Sequence, residues 1–234
     1  MKNEILLIPD KPDIERDALA KTWLAAGGEV KRIGKFWIKP EVGNKRVSIY
    51  GYDSFCLVLA QILGLKMEMV KDEWIAELPR EYLKRVIEII PISQIEEMVF
   101  PKFLKPVTPK LFKAEIFNTV EELKTKIEGI EDKERLICSD PIEVTKEVRS
   151  FILNRKVKDL AFYEGSGNIE IPRKFVEDFL EKSELNLPKT FVLDIGFNDK
   201  DDWFVIEFNS SWGAGLNSCE PQKVIECIKE ATKS

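Results

Sequence analysis

The sequence predicts an α/β protein whose N-terminal part alternates strands and helices and whose remainder mixes them. Short apolar runs of strand length alternate with amphipathic segments through the first ninety residues, a pattern typical of three-layer α/β units. A second block starts near Pro91, where strand-like pairs precede helical segments. The 234 residues are 44% hydrophobic, which is enough to form a substantial core without disulfides or a structural metal.

In the first ninety residues, apolar runs and helical spacing predict three strands and three helices. The strands are expected at residues 5–8, 47–50 and 65–70, and the helices at 13–26, 53–63 and 80–90. The apolar stripe predicted for the first helix comprises Ile14, Leu19, Trp23 and Leu24. Gly27 and Gly28 are typical of a helix C-terminus, as is Gly64 after the second helix, for which Asp53 is the predicted N-cap.

The second block predicts a hairpin-rich sheet with helices between its strands. Strands are expected at residues 98–105, 111–117, 136–138, 144–153, 157–163, 191–195 and 203–208, and helices from residue 120, at 171–180 and at 221–231. Thr119 is the predicted N-cap of the first of these helices because Glu122 follows three residues later. A tight turn is expected at Asn154 and Arg155, between two strands that pair naturally.

The composition excludes several functional classes. The chain has 36 Lys and Arg against 41 Asp and Glu, a net charge of −5, which argues against a general nucleic-acid binder. It has no histidine, which removes serine- or cysteine-histidine nucleophile sites, histidine-ligated metals and histidine general bases. Any chemistry has to use carboxylates, lysines, arginines and backbone dipoles.

The four cysteines contain no CxxC pair, which predicts free thiols in a reducing compartment. The first apolar run ends at Pro9 and does not resemble a signal peptide. No stretch approaches the roughly 18 apolar residues of a membrane span. We therefore expect a cytoplasmic protein without a membrane partner.

Common nucleotide-binding motifs are absent. The chain has no GxxxxGK[ST] phosphate loop, and Gly165-Ser166-Gly167 lacks the third glycine of a dinucleotide fingerprint. It also lacks a KxDG-like nucleophilic lysine. Any use of ATP therefore requires another architecture.

The sharpest motif is an oxygen-rich set near the C-terminus. Asp194 ends one apolar run, and the next apolar run carries Glu207-Phe208-Asn209. Strand geometry puts Glu207 and Asn209 on one face, and a paired hairpin would bring Asp194 to the same face. Two carboxylates and an amide oxygen suit Mg²⁺ with bound phosphates. The alternative is that Glu207 and Asn209 lie on a solvated sheet face.

Two further features carry charge within otherwise apolar strands. The segment 98–114 contains Lys102, Lys105, Lys110 and Lys113 and no acidic residue, which suits a phosphate-binding surface opposite an acidic metal site. Its alternative is a solvated lysine-rich hairpin. Glu147 and Arg149 share a strand face, and their alternative role is a salt bridge to nearby side chains.

The order of these features resembles the ATP-grasp superfamily, including compact bacterial and phage members, over roughly residues 98–217. The matching features are Lys105 followed by Pro106, a polar hinge at Ser139 and Asp140, then Glu147, Asp194, Glu207 and Asn209. The spacing from Asp194 to Glu207 is the most specific of them. Two features depart from the family pattern. No glycine-rich flap follows Pro106, and no arginine closely precedes Asp194.

The resemblance implies an ATP-grasp fold with an N-terminal α/β domain (1–90), a small lobe (91–140) and a large lobe (141–234) that clasp ATP. It implies that Lys105, with Lys110 as a second candidate, contacts phosphate. Ser139 and Asp140 would meet adenine, and Glu147 the ribose. The resemblance also implies that Mg²⁺ is held by Asp194, Glu207 and Asn209. Arg149 could supply the missing arginine charge and, with Lys105, is a candidate catalytic residue.

The family chemistry implied is an ATP-dependent ligation of a small-molecule or peptide carboxylate to an amine through an acyl phosphate. Such a reaction needs positioning and charge stabilisation more than a histidine base. Residues 212–216 are interpreted either as backbone N–H donors to the acyl group or as a structural turn. An ATP-grasp kinase and a nucleotide-binding module without turnover remain as alternatives.

Overall fold

The computed structural model describes residues 1–198, 200 and 202–233. The described helices are α1 (Ile14–Ala25), α2 (Asp53–Leu63), α3 (Arg80–Leu83), α4 (Val120–Ile127), α5 (Glu170–Lys182) and α6 (Pro221–Glu230). The described strands are β1 (Glu4–Pro9), β2 (Glu29–Ile33), β3 (Arg46–Ile49), β4 (Lys66–Met67), β5 (Ile87–Pro91), β6 (Lys102–Pro106), β7 (Glu115–Phe117), β8 (Arg135–Ser139), β9 (Lys146–Leu153), β10 (Lys156–Glu164), β11 (Thr190–Phe197), β12 (Trp203–Asn209) and β13 (Thr232–Lys233). Short 3₁₀ helices are formed by Asp72–Glu77 and Ile92–Glu97.

The chain forms two compact units. The first comprises Met1–Val70, Lys146–Ile195 and Phe208–Ser234, and the second comprises Lys71–Thr145 and Gly196–Glu207. The functional division expected from the sequence, at residues 90 and 140, stays a prediction.

The first unit begins with a parallel sheet of order β2-β1-β3. Successive residues of β1 point to opposite faces, as strand geometry requires. Leu6 joins a core with α1 and α6, whereas Leu7 joins a core with α2. Burial of β1 on both faces explains its continuous apolar run, which is typical of a parallel sheet covered by helices.

A second sheet has the order β10-β9-β11-β12. β9 and β10 are antiparallel, and their turn places Asn154 and Arg155 at φ of 52° and 57°, as a type I′ turn requires. Phe151 of β9 and Val192 of β11 are fully buried in the core that also contains residues of α1 and α6. This packing fixes the backbone on which the charged residues of β9 and β11 stand.

The second unit contains an antiparallel sheet of order β5-β8-β6-β7. Its core packs Leu104 of β6 against Leu123 of α4 and Leu136 of β8. The predicted N-cap is confirmed, because the Thr119 side chain accepts a hydrogen bond from the Glu122 N–H at 3.2 Å. β6 thereby presents Lys105 from a rigid strand.

The mixed α/β class predicted from the sequence is confirmed, but several elements differ. Residues 80–90 do not form one helix, because α3 ends at Leu83 and its C-cap, Lys84, has a left-handed φ of 55°. The β-branched residues that follow instead form β5, as their strand preference favours. The strand predicted at residues 65–70 is shorter and comprises only β4. β2 was not predicted, because charged residues interrupt its apolar ones.

Two local assignments also need correction. Ile14 is 90% exposed and Leu24 55% exposed, whereas Leu19 and Trp23 are buried. The predicted apolar stripe of α1 is therefore narrower than its spacing suggested. Asp53 is the first residue of α2 rather than its N-cap, which is Tyr52.

All four cysteines are free thiols, as predicted, and all four are buried. Within the described ranges, no helix combines the length and the apolar character needed to cross a bilayer.

Candidate functional site

The most buried charged pair among the described residues of the first unit lies on neighbouring strands of the second sheet. Nε and Nη2 of Arg149 on β9 donate to Oδ1 and Oδ2 of Asp194 on β11, at 2.9 and 2.6 Å. Arg149 is 9% exposed and Asp194 is 1% exposed. Asn209 on β12 donates from Nδ2 to the same Asp194 Oδ2 at 3.0 Å. Three adjacent strands thus converge on one carboxylate.

Arg149 is held by further contacts on the same unit. Its Nη1 donates to the Gly215 carbonyl at 2.9 Å, and its guanidinium lies 5.7 Å from the centre of the Tyr163 ring. The Tyr163 hydroxyl donates to the Glu147 carboxylate. Burial, followed by the Glu147 hydrogen bond, raises the pKa of Tyr163 well above its usual range, so the phenol stays a donor at neutral pH. Glu147 and Arg149, which the sequence placed on one strand face, therefore both contact Tyr163.

The backbone N–H groups of the segment after β12 are largely used within the chain. Those of Gly213 and Ala214 donate to the Ser210 carbonyl at 2.9 and 3.0 Å. Those of Leu216 and Asn217 donate to a carboxylate of α1. These four contacts favour the structural-turn interpretation over donors aimed at an acyl group.

In the second unit, Lys105 lies between two carboxylates. Its Nζ is 3.1 Å from Oδ2 of Asp72 and 3.5 Å from Oε2 of Glu207. Burial lowers the pKa of Lys105, but Glu207 and Asp72 outweigh it and the net pKa is raised. The ammonium is therefore charged at neutral pH, which is the state that binds phosphate. Because Glu207 has this partner, it is not an isolated side chain on a solvated face.

The predicted hinge residues are anchored by two basic side chains. Lys102 Nζ contacts Asp140 Oδ1 at 2.5 Å, and this hydrogen bond is the main cause that lowers the pKa of Asp140. Ser139 Oγ accepts from Arg85 Nε at 3.1 Å and donates to the Asp140 carbonyl at 2.8 Å. Burial lowers the pKa of Arg85 to about 10, which leaves its guanidinium charged near neutral pH.

Lys110, the second phosphate candidate, lies in the exposed connection between β6 and β7, at a φ of 69°.

The residue types present fit a magnesium ion held together with phosphate oxygens. Among the described residues, no group of three or more His, Cys, Asp or Glu side chains could hold a metal alone. Mg²⁺ in nucleotide sites is usually held by one or two carboxylates plus phosphates, and Asp194, Glu207 and Asn209 have the oxygen-bearing side chains that such a set needs. Oδ2 of Asp194 accepts two hydrogen bonds, from Arg149 and Asn209, and these match the two lone pairs of a carboxylate oxygen. A metal ion at Oδ2 would therefore have to replace one of these donors. The metal role stays a prediction.

Sequence reasoning missed several contact residues. Tyr163 was not recognised as a partner of Glu147, because a bulge between Phe162 and Glu164 shifts the pairing of β10 with β9. Asp72 contacts Lys105 and Arg85 contacts Ser139, and each contact joins segments that are far apart in the chain. No local sequence pattern predicts such contacts.

Comparison with known proteins identifies the family. The model of the ATP-grasp domain, R2K clade family 2, matches residues 82–227. None of the curated proteins matches the chain at a significant level.

Several solved structures share the fold. A RimK-domain ATP-grasp protein from Sphaerobacter thermophilus is 14% identical, with a TM-score of 0.60 over 97% of this chain and 96% of that one. D-alanine–D-alanine ligase from Bacillus anthracis complexed with ATP is 14% identical, with a TM-score of 0.57 over 97% and 96%. Macrocyclase MdnC from Microcystis aeruginosa, bound to the precursor peptide MdnA, is 10% identical, with a TM-score of 0.56 over 96% and 99%.

At these identities the structural likeness establishes the fold, and the family model, which spans more than half of the chain, establishes the membership. The protein thus belongs to the ATP-grasp domain family, R2K clade family 2.

Proposed function

We propose that this protein is an ATP- and Mg²⁺-dependent ligase that joins a carboxylate to an amine through an acyl phosphate. The observation that carries the proposal, beside the family membership, is the convergence of Arg149 and Asn209 on the buried carboxylate of Asp194. A buried carboxylate with a fixed guanidinium is the kind of preorganised charge that phosphoryl transfer needs.

The nucleotide contacts are assigned to groups that the fold holds in place. Lys105 carries a charged ammonium on β6 and contacts phosphate oxygens, with Lys110 as a second cation. Ser139 and Asp140 meet adenine. Glu147, oriented by the Tyr163 hydroxyl, accepts hydrogen bonds from the ribose.

Asp194, Glu207 and Asn209 hold Mg²⁺ together with the phosphates of ATP. When bound, the ion neutralises phosphate charge and polarises the transferred phosphoryl group. Arg149 keeps the Asp194 carboxylate in a fixed orientation through its two parallel hydrogen bonds. Its own positive charge lies on the same sheet face and stabilises negative charge that develops during transfer.

The proposed reaction has two steps. A carboxylate oxygen of the first substrate attacks the terminal phosphorus of ATP, the bridging P–O bond breaks, and ADP leaves. The amine of the second substrate then attacks the acyl carbon, inorganic phosphate departs with the C–O bonding electrons, and the amine loses a proton. Both a small-molecule ligase and a peptide macrocyclase share the fold, which supports a small-molecule or peptide carboxylate as substrate class.

The test is an ADP- and phosphate-release assay with Mg²⁺ and ATP over a panel of carboxylates, with and without amines. A ligase releases phosphate only when both a carboxylate and an amine are present. ADP formation that needs no amine, with phosphate retained on the acceptor, would identify a kinase instead. ATP binding without ADP formation over the whole panel would identify a binding module.

A further inference from the structure

A carboxylate of α1 holds the segment that follows β12. Oε2 of Glu15 accepts the Leu216 N–H at 3.0 Å, and Oε1 accepts the Asn217 N–H at 2.7 Å. Glu15 is in the first turn of α1 and is half-buried. Both carboxylate oxygens are therefore engaged by two consecutive backbone donors from the other end of the chain.

The same segment contacts Arg149. The Gly215 carbonyl, one residue before Leu216, accepts the Nη1 hydrogen bond of Arg149 at 2.9 Å. A Cβ at Gly215 would lie 2.6 Å from Glu15 Oε2, closer than a side chain can approach. A side chain at position 215 would displace the Glu15 carboxylate from the two N–H groups, so glycine suits this position, where the Gly215 carbonyl also accepts from Arg149.

An acidic residue in the first turn of a helix has an ordinary explanation, since the positive end of the helix dipole favours it. That explanation requires only a carboxylate near the helix end. It does not account for one that binds a segment 201 and 202 positions away with both oxygens.

We propose that Glu15 is a positioning residue for the Arg149–Asp194 pair. Glu15 fixes residues 215–217, the Gly215 carbonyl fixes one nitrogen of Arg149, and the other two nitrogens fix Asp194. All of these residues belong to the first unit. The inference rests on the proposed function, because it assigns to Asp194 the role of a Mg²⁺ ligand.

The experiment compares Glu15→Gln with wild type in a titration with Mg²⁺ at a fixed concentration of ATP. The readout is the rise in melting temperature of each protein relative to the same protein without Mg²⁺. A glutamine offers one acceptor oxygen in place of two, so one of the two N–H groups loses its partner. Changes to residues that orient metal ligands typically weaken metal binding about 10–100-fold. We expect the half-saturating Mg²⁺ concentration to rise by about tenfold for Glu15→Gln and further for Glu15→Ala.

A matched control is available in the same unit. Glu4 on β1 is also half-buried and paired, with Lys229 at 3.0 Å and Arg46 at 3.9 Å. Glu4→Gln should lower the melting temperature without changing the half-saturating Mg²⁺ concentration.

A double-mutant cycle with Arg149→Lys separates positioning from general destabilisation. If Glu15 acts through Arg149, Arg149→Lys alone also raises the half-saturating Mg²⁺ concentration, and adding Glu15→Gln raises it little further. An unchanged half-saturating Mg²⁺ concentration in Glu15→Gln, or fully additive effects in the double variant, would overturn the role of Glu15. Neither result would contradict the proposed function. A wild-type protein that shows no Mg²⁺-dependent response to ATP would overturn the proposed function, and the inference with it.

Discussion

Arg149 and Asp194 form a two-pronged ion pair, with Nε and Nη2 of the arginine donating to both carboxylate oxygens at 2.9 and 2.6 Å. Both residues are buried. Removing one partner of a buried pair leaves an uncompensated charge, which typically costs about 3–5 kcal/mol. Variants at this pair therefore report on function only when their stability is measured as well.

Arg149→Lys is expected to slow turnover on the order of 10²-fold, as for the loss of one electrostatic donor, while ATP binding stays nearly normal. Lysine keeps the charge but cannot reproduce the planar fork of the guanidinium. The measurement combines ADP release with the melting temperature of the same variant. Wild-type turnover in a less stable variant would reject the catalytic role and leave Arg149 as an ion-pair residue.

Glu207→Gln is expected to abolish Mg²⁺-dependent ADP release with the fold intact. The change keeps the shape of the side chain but removes a negative charge from a site for a hard cation. Glu115→Gln is the matched control, because Glu115 is also a strand residue of the second unit paired with a lysine, Lys126, at 3.2 Å. If Glu207→Gln and Glu115→Gln both retain wild-type ADP release, the metal assignment of Glu207 fails.

Lys105→Met is expected to weaken ATP binding about 10–100-fold, since a hydrogen bond to a charged group contributes about 1.5–3 kcal/mol. The substitution removes the cation and leaves Asp72 and Glu207 to repel an anionic ligand. Calorimetric titration with ATP and Mg²⁺ measures the change, and Lys126→Met serves as control. Equal affinity in Lys105→Met and wild type would show that Lys105 does not contact phosphate.

The ion pair of Lys102 and Asp140 predicts that the stability of the fold decreases at acidic pH. The Lys102 hydrogen bond lowers the pKa of Asp140 below its ordinary value of 3.8. The stabilisation is therefore complete above pH 3.8 and is lost as the pH falls through the lowered pKa. Wild type should melt higher than Asp140→Asn at neutral pH, and the difference should vanish at lower pH. A difference that stays constant down to about pH 2 would contradict the assigned shift.

The pattern of apolar runs predicted the strands that surround the site, because strands buried on one or both faces leave a strong local signal. β1, β9 and β11 are such strands. Glu147, Arg149 and Asp194, which the sequence singled out on β9 and β11, are held in the contacts described above. Residues 80–90 show where the pattern failed. The spacing of their apolar residues also suits a strand. Lys84 takes a left-handed backbone conformation, and a lysine gives no sign of this in the sequence, as a glycine would.

The contacts that orient the site were not accessible from sequence. Glu15 meets Asn217 across almost the whole chain, and Asp72 meets Lys105 from a short 3₁₀ helix. Such pairs depend on tertiary packing, whereas motif spacing reports only on residues within one or two neighbouring elements. The proposed chemistry therefore rests on oxygen-bearing and lysine side chains that the sequence shows, whereas the partners of these side chains are visible only in the structure.

The most direct test of the central claim is the melting temperature of the wild-type protein with millimolar ATP and Mg²⁺, each alone and together. A ligand that binds the native state raises the melting temperature by mass action. We predict a clear rise with both present, and a smaller one with ATP alone. No rise with both, under conditions in which the protein is folded, would contradict the assignment of a Mg²⁺–ATP site.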